Sequence, residues 1–463
     1  VSETTATTIP GAEDPHEAAP EMSQRRVLGL AVPIIGENLL QTLVGVVDTL
    51  FVAALGANAL AGVGVASEVV FFVIAILSAV SIGGTVLVSQ AIGARDQERA
   101  NRLARQAVAW GLVIAIPLSF LGYFLAPTIV GWFQTEAGVA TEATTYLRIT
   151  GAMFVVLLMT FVCGAVLRGA GDSQTPLRAS LIANLLNGFL AYAMIFGEFG
   201  FPRMEVAGSA WSTVIGRGAG ALILLWFLFS GRRAVSLAGR EGWWPSVSSA
   251  RALMQIGVPA AIERILDNAG ITTLVVIIAM IGTDALAAQQ IIFTAYAIAL
   301  LPGSGFSVAS TALVGQSLGA RRLDHAKLAT RISIRWALAW MIVAGLAYLL
   351  LARHILDVFT DDAAVINHGD GGLMALGLTL PIMAFRMVFG GGLRALGDAR
   401  TPMITGSIST WLAVGLAWVG VQWFDATLTW VWVSFLLASP IAAVANRLVF
   451  ARRLHTVELT TLT

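Results

Sequence analysis

The chain has 463 residues, of which 57% are hydrophobic and only 12% charged, with a net charge of +1 and a mean hydropathy of +0.81. Soluble domains carry roughly 25% charged residues, so this composition excludes a soluble protein and predicts a polytopic membrane protein. The near-zero net charge argues against a nucleic-acid partner, and the single cysteine, Cys163, excludes an internal disulfide or a cysteine-based metal cluster.

Residues 1–24 are polar, rich in threonine, and carry Glu3, Glu13, Asp14, Glu17 and Glu21. They read as a disordered cytoplasmic tail. They lack the basic start, apolar middle and cleavage site of a signal peptide, so the first membrane helix is expected to direct insertion. Twelve apolar spans follow, at roughly 28–54, 60–88, 104–126, 140–167, 176–197, 206–230, 253–281, 286–315, 332–352, 366–393, 402–423 and 429–450. Each is long enough to cross about 30 Å of hydrocarbon.

The first span is apolar but contains Glu37, Gln41 and Asp48. At about 100° per residue these fall within about 40° of one another and form one polar stripe. An ionisable group at mid-bilayer costs about 2.5–3.5 kcal/mol on insertion scales, so the stripe must face protein or water. Basic residues collect on one side: Arg25 and Arg26, then Arg95, Arg99 and Arg102, then Arg232, Arg233 and Arg240, then Arg321, Arg322 and Lys327, and finally Arg452 and Arg453. By the positive-inside rule both termini are expected in the cytoplasm.

The two halves repeat. Pro33 and Pro259 are 226 residues apart, as are Glu37 and Glu263, QAIGAR (90–95) and QSLGAR (316–321), and LRGAGDSQTP (167–176) and LRALGDARTP (393–402). A constant offset with six spans per copy predicts two lobes related by a pseudo-two-fold axis along the membrane normal. The expected layout is an N-lobe at 25–230, a cytoplasmic linker at 231–250, a C-lobe at 251–452 and a C-terminal tail at 453–463. Gly171-Asp172 and Gly397-Asp398 read as structural turns. The histidines have no metal-ligand spacing.

VDTLFVAALG (47–56), ALAGVG (59–64), and the QAIGAR and LRGAGDSQTP blocks with their echoes resemble the multidrug and toxic compound extrusion (MATE) family over about residues 27–450. The resemblance implies an all-α fold of two six-helix lobes of the MATE/MOP type around a central cavity. It implies export of organic, often cationic, compounds against inward H⁺ or Na⁺ flow. Asp48 matches the family's first-helix cation-coupling aspartate, and Asn184 and Asn187 match its fifth-helix asparagines. One branch has a second aspartate where this chain has Ala191. Asp267 matches an acidic position of the seventh helix, whose partner aspartate in the tenth helix is here Met383.

Asp48, with amide oxygens from Asn184 and Asn187, has the chemistry to hold a proton or ligate Na⁺, as Asp267 has in the other lobe. The bland alternative for each is a structural acid. Glu37 and Glu263 are candidate cavity residues; alternatively Glu37 pairs with Asn38 or another lobe helix, and Glu263 with Arg264, Arg217 or Arg386. Gln41, Gln289 and Gln290 complete the candidate cavity set, with interhelical packing as the alternative. One charge crossing 100 mV is worth about 2.3 kcal/mol, or roughly a 40-fold cargo gradient. No nucleotide-binding loop is present.

The expectation is therefore a secondary antiporter, not an enzyme, with no cofactor beyond the coupling ion, a small drug-like cargo and the bilayer as partners, a single chain sufficing for function, in the plasma membrane of a prokaryote. A lipid-linked precursor flippase of the same superfamily is the rival reading, kept open by Arg217 and Arg386. A non-transporting sensor and an intramembrane enzyme are further rivals; the second lacks any clustered nucleophile and base.

Overall fold

A backbone inside lipid has no water to bond with, so apolar runs of this length must satisfy their own N–H and C=O groups as helices. The computed structural model describes residues 22–462, and the expected N-terminal tail lies outside them up to residue 21. In order the helices are α1 (Gln24–Ala53), α2 (Ala57–Gly93), α3 (Gln97–Phe124), α4 (Ala126–Gly131), α5 (Ala137–Ala152), α6 (Phe154–Gly169), α7 (Gln174–Phe196) and α8 (Glu205–Phe229), then α9 (Val247–Ala279), α10 (Thr283–Gly319), α11 (Leu323–Asp357), α12 (Ala363–Ala395), α13 (Arg400–Phe424) and α14 (Leu428–Leu462). No strand occurs among the described residues. The segment expected as a C-terminal tail continues α14 as far as Leu462.

Among the described residues, ten helices are long and apolar enough to cross a membrane. The span expected at 140–167 is broken: α5 and α6 meet at a 52° bend. The backbone at Met153 leaves the helical region (φ −110°, ψ 24°), and Ser119 of α3 accepts a hydrogen bond from the Val155 N–H at 3.3 Å. The bend is thus met by a side-chain hydroxyl from a neighbouring helix, as helix breaks within membranes require. The remaining long helix, α9, has 33 residues, but Glu263, Arg264 and Asp267 crowd its middle and keep it from reading as apolar.

Two apolar cores account for the lobes. One gathers side chains of α2, α3, α5, α6 and α8, the other those of α10, α11, α12 and α14. The starts of the first helix of each lobe, α1 and α9, are exchanged between the two cores. Val27, Leu30 and Ala31 of α1 pack in the second core, and Leu253 of α9 packs in the first. Backbone contact is close at these crossings. A Cβ on Gly257 would lie 1.9 Å from the Ala79 carbonyl oxygen, and one on Gly83 would lie 2.4 Å from that of Leu253. The lobes therefore meet at the arginine-rich end of the helices.

The segment between the lobes is fastened to α3. Arg105 donates to the carbonyls of Leu237 (3.3 Å), Glu241 (2.6 Å) and Ala238. Gln106 donates to the carbonyls of Gly242 and Trp244 and accepts from the Ser246 N–H. The planar fork of arginine suits this convergence of carbonyls. Val235 and Leu237 are fully buried in the first core.

Each lobe holds the same charged pair. Glu37 of α1 accepts from Arg168 of α6 at 2.9 Å, and Glu263 of α9 accepts from Arg394 of α12 at 2.6 Å. In both, the partners are 131 residues apart. The arginine opens the turn that follows, where Gly171 and Gly397 adopt φ of +92° and +82°, a conformation glycine takes without strain. The next residue closes it: Asp172 accepts from the N–H and hydroxyl of Thr175, and Asp398 from those of Thr401. Arg233 and Arg453 each add an ion pair to that aspartate at 3.3 Å.

Breaking a buried pair leaves one charge unmet at a cost of about 3–5 kcal/mol, whereas neutralising both members costs far less. Arg168→Met alone is expected to lower the unfolding temperature in detergent sharply, and Glu37→Gln/Arg168→Met to recover most of that loss. Additive losses in the double-mutant cycle would show that the two groups do not act as a pair.

Candidate ion and cargo site

Asp48 sits in the half of α1 far from the arginine-rich end, about 36 Å along the helix from Gln24 at 1.5 Å per residue. It borders a cavity of about 800 Å³. Ser209, Thr213 and Arg217 of α8 line the same cavity. Their spacing of four places them on one helical face. Tyr146 of α5, Glu68 of α2 and, from the other lobe, Gln290 of α10 also line it. Arg217, Glu68 and Gln290 are exposed, and Asp48 is half-buried.

Asp48 Oδ1 is buried with no hydrogen-bond partner among the described residues. So is Asn187 Oδ1. Asn187 Nδ2 donates to Thr213 Oγ1 at 3.4 Å, which joins α7 to the cavity wall. A buried acceptor without a donor costs about 1–3 kcal/mol. Two such oxygens on one lobe form an arrangement that gains on taking up a proton or a small cation. Asn184, half-buried one turn earlier, donates instead to Ser180 Oγ at 3.4 Å.

The C-lobe acid is in a different condition. Asp267 Oδ2 accepts from Arg386 and Oδ1 from the Thr410 hydroxyl, both at 2.7 Å. Both oxygens are engaged. The cavity beside it is smaller, about 290 Å³, and is lined by Glu263, Asp267, Arg264, Arg386 and Arg394, with Met383 and Tyr296. Two acids there face three arginines.

The remaining candidates separate. Glu37 and Glu263 are buried in the arginine pairs described above. Gln289 is buried and accepts from the indole of Trp432 at 2.9 Å, inside the C-lobe. Its neighbour Gln290 turns to the N-lobe cavity. Gln41 is exposed and is not among the residues lining that cavity. Sequence reading overlooked Glu68. Its signal was present: a single carboxylate within the apolar span expected at 60–88. No group of three or more His, Cys, Asp or Glu side chains that could hold a metal ion occurs among the described residues.

The family model described as MatE matches residues 33–193 and again 259–419, the same 226-residue displacement. A protein of Thermotoga maritima named a probable multidrug resistance protein NorM is 33% identical over 427 residues, spanning 91% of this chain and 90% of that one. The multidrug resistance protein PmpM of Pseudomonas aeruginosa is 25% identical over 415 residues, spanning 87% and 85%. Among solved structures, an outward-facing multidrug resistance MATE family transporter of the MOP superfamily superposes with a TM-score of 0.86 at 21% identity, covering 94% of this chain and 96% of that one. A MOP superfamily transporter from Pyrococcus furiosus superposes with a TM-score of 0.87 over the same shares. With both copies of the family model matched and a third of the residues shared with a full-length relative, this chain belongs to the MATE family of multi-pass multidrug efflux transporters.

Proposed function

We propose that this transporter is an antiporter, driven by H⁺ or Na⁺ entering at Asp48 and exporting organic cations or amphipathic compounds by alternating access. The observation that carries the reading is the pair of buried acceptors without donors, Asp48 Oδ1 at the cavity and Asn187 Oδ1 behind Thr213 of its wall, against the doubly bonded Asp267 in the other lobe. A proton on Asp48, or Na⁺ taken by oxygens of Asp48 and Asn187, would supply what those atoms lack. Asp267 would then serve the C-lobe as the counter-charge of Arg386.

Glu68 gives the cavity a second carboxylate against the one guanidinium of Arg217. That balance favours a cargo carrying positive charge. The apolar and aromatic lining, including Phe71, Ile74, Tyr146 and Phe154, suits a hydrophobic body. By the positive-inside rule the arginine-rich end faces the cytoplasm of a prokaryotic cell. The lobes meet at that end, so the cavity of Asp48 lies toward the outside. The relatives named as multidrug resistance proteins support this direction of transport. A ligand shifts the balance of two states only by binding them unequally. Loading Asp48 from outside would weaken cargo binding and favour return to the inward state.

A second reading rests on the C-lobe cavity, where three arginines outnumber two acids. It accommodates a cargo with an anionic group, such as a lipid-linked phosphate.

Asp48→Asn is expected to abolish dye efflux in a pump-deficient host while membrane expression is retained; efflux at the unaltered level would remove Asp48 from the mechanism. In everted vesicles, imposing a pH gradient and a Na⁺ gradient separately identifies the coupling ion, and a rate insensitive to both would end the antiport reading. Glu68→Gln is expected to raise the half-saturating concentration of a cationic dye several-fold and to leave that of a neutral dye unchanged. Equal shifts for both dyes would assign Glu68 to packing.

A further inference from the structure

The QAIGAR block and its echo QSLGAR have no part in the ion site, yet they touch across the lobes. Gln90 near the end of α2 donates through Nε2 to the Ala395 carbonyl, at the end of α12, at 2.8 Å. Gln316 near the end of α10 donates through Nε2 to the Gly169 carbonyl, at the end of α6, at 3.0 Å. The two bonds are images of each other: Gln90 and Gln316 are 226 residues apart, and so are Gly169 and Ala395. Each accepting carbonyl belongs to the last turn of a helix, where no N–H four residues on is available within the helix. The turns that follow bond to neighbouring carbonyls instead, Leu167 and Arg168 in one lobe and Leu393 and Arg394 in the other. A glutamine from the opposite lobe therefore satisfies an otherwise unmet helix end.

The glycine of the same block makes the approach possible. A Cβ on Gly93 would lie 1.9 Å from the Gln316 carbonyl oxygen, and one on Gly319 would lie 1.9 Å from that of Gln90. Any larger residue would hold the ends of α2 and α10 apart. Arg26 of α1 donates to Gln316 Oε1 at 2.9 Å, which fixes that amide with its N–H₂ toward Gly169. Arg95 and Arg321 then turn the chain out of the helix with φ of +57° and +55°.

We infer that Gln90 and Gln316 are a reciprocal latch that holds the cytoplasmic face shut in the outward-open state and must release for the lobes to open inward. This rests on the alternating-access reading above. The bonds are neutral and individually modest, each worth up to about tenfold in the balance between closed and open faces and up to about a hundredfold together. That strength suits a latch. It biases one state but yields to a change of ion or cargo occupancy. The two glutamines are positioning residues, touching neither ion nor cargo.

The test reads the cytoplasmic distance directly. Spin labels at Glu98→Cys and Asp324→Cys, exposed positions at the starts of α3 and α11, are introduced with Cys163→Ser, and their separation is measured by pulsed electron resonance in lipid nanodiscs. The latched protein is expected to show a predominant short distance. Gln90→Ala/Gln316→Ala is expected to add a longer population, enriched at least tenfold over the background, with each single variant intermediate. If the double variant does not fold, the near-isosteric Gln90→Glu decides, since its carboxylate cannot donate to Ala395 and is expected to open the same face. Distance distributions unchanged in folded latch variants would overturn the proposal. The outcome is independent of the coupling reading: a failed Asp48→Asn prediction leaves these distances as they are, and an intact distance distribution leaves ion-driven efflux to be judged separately.

Discussion

A bilayer interior cannot solvate a charge, so every ionised side chain in these helices must find its compensation within the protein or in a water-filled cavity. That constraint arranges the molecule. Glu37 with Arg168, Glu263 with Arg394, and Asp267 with Arg386 and Thr410 are each compensated by direct bonds of 2.6–2.9 Å. Asp48 is compensated less fully: it shares a cavity with Arg217, but Oδ1 has no donor. A membrane protein tolerates such an oxygen where some other species meets it for part of the time. The incompleteness at Asp48, set against the two bonded oxygens of Asp267, is what makes it the candidate for reversible ion loading.

The compensated pairs also explain why the repeat is so strict. Each glutamate and its arginine tie the first helix of a lobe to the end of the fourth span, and the turn after that arginine is held by an aspartate, a threonine and a further arginine. These groups depend on one another's positions. A one-residue shift in any connecting helix would rotate a partner by about 100° and strand a charge. The constant offset across four blocks is the trace of that dependence. The exchange of helix starts between cores adds a second tie, because α1 and α9 each begin on one lobe and end in the other.

Much of this was legible from the residues. Long apolar runs, arginine placement and the offset of 226 foretold span-length helices and two matched lobes, because period and composition are properties of short stretches. The sequence leaves another helix of the lobe open as the partner of Glu37 but singles out neither Arg168 nor, for Glu263, Arg394. Local alternatives such as Asn38 and Arg264 stood nearer in sequence, whereas the true partners are 131 residues away. The clue was available in the duplication itself, since both the acid and its arginine recur in each copy. The bend at Met153 falls in a long, glycine-bearing span of the kind where a kink is expected, but with no proline to mark it its position is not legible; that depends on Ser119 of another helix, a contact that no single span contains. Glu68 was passed over because a lone acid in a hydrophobic run has no periodic partner to draw attention to it. Gln289 and Gln290 illustrate the limit at finest scale. Adjacent and chemically identical, they point into different environments, and only the packing of α10 against α14 decides which one reaches the cavity.

The repeat is kept where the two lobes must behave alike and abandoned where they need not. Glu, Arg, Asp and Thr of the scaffold are the same in both copies, and so are the glutamine and glycine at the crossing of α2 and α10. At the site they part: the position of Asp48 is occupied in the second copy by the buried Leu274, that of Asp267 in the first by Gln41, and that of Arg386 by Thr160. Two rigid bodies that close on each other through equivalent ends need matched contact surfaces, because a mismatch would leave helix-end carbonyls unmet in one of them. An ion that biases the closure needs only one lobe to respond. A second carboxylate of the same kind would have to be loaded as well before the balance tipped, whereas one already neutralised by an arginine stays out of that step. If Asp48 loads the ion as proposed, divergence at Asp48 and Asp267 would let a symmetric frame carry an asymmetric trigger.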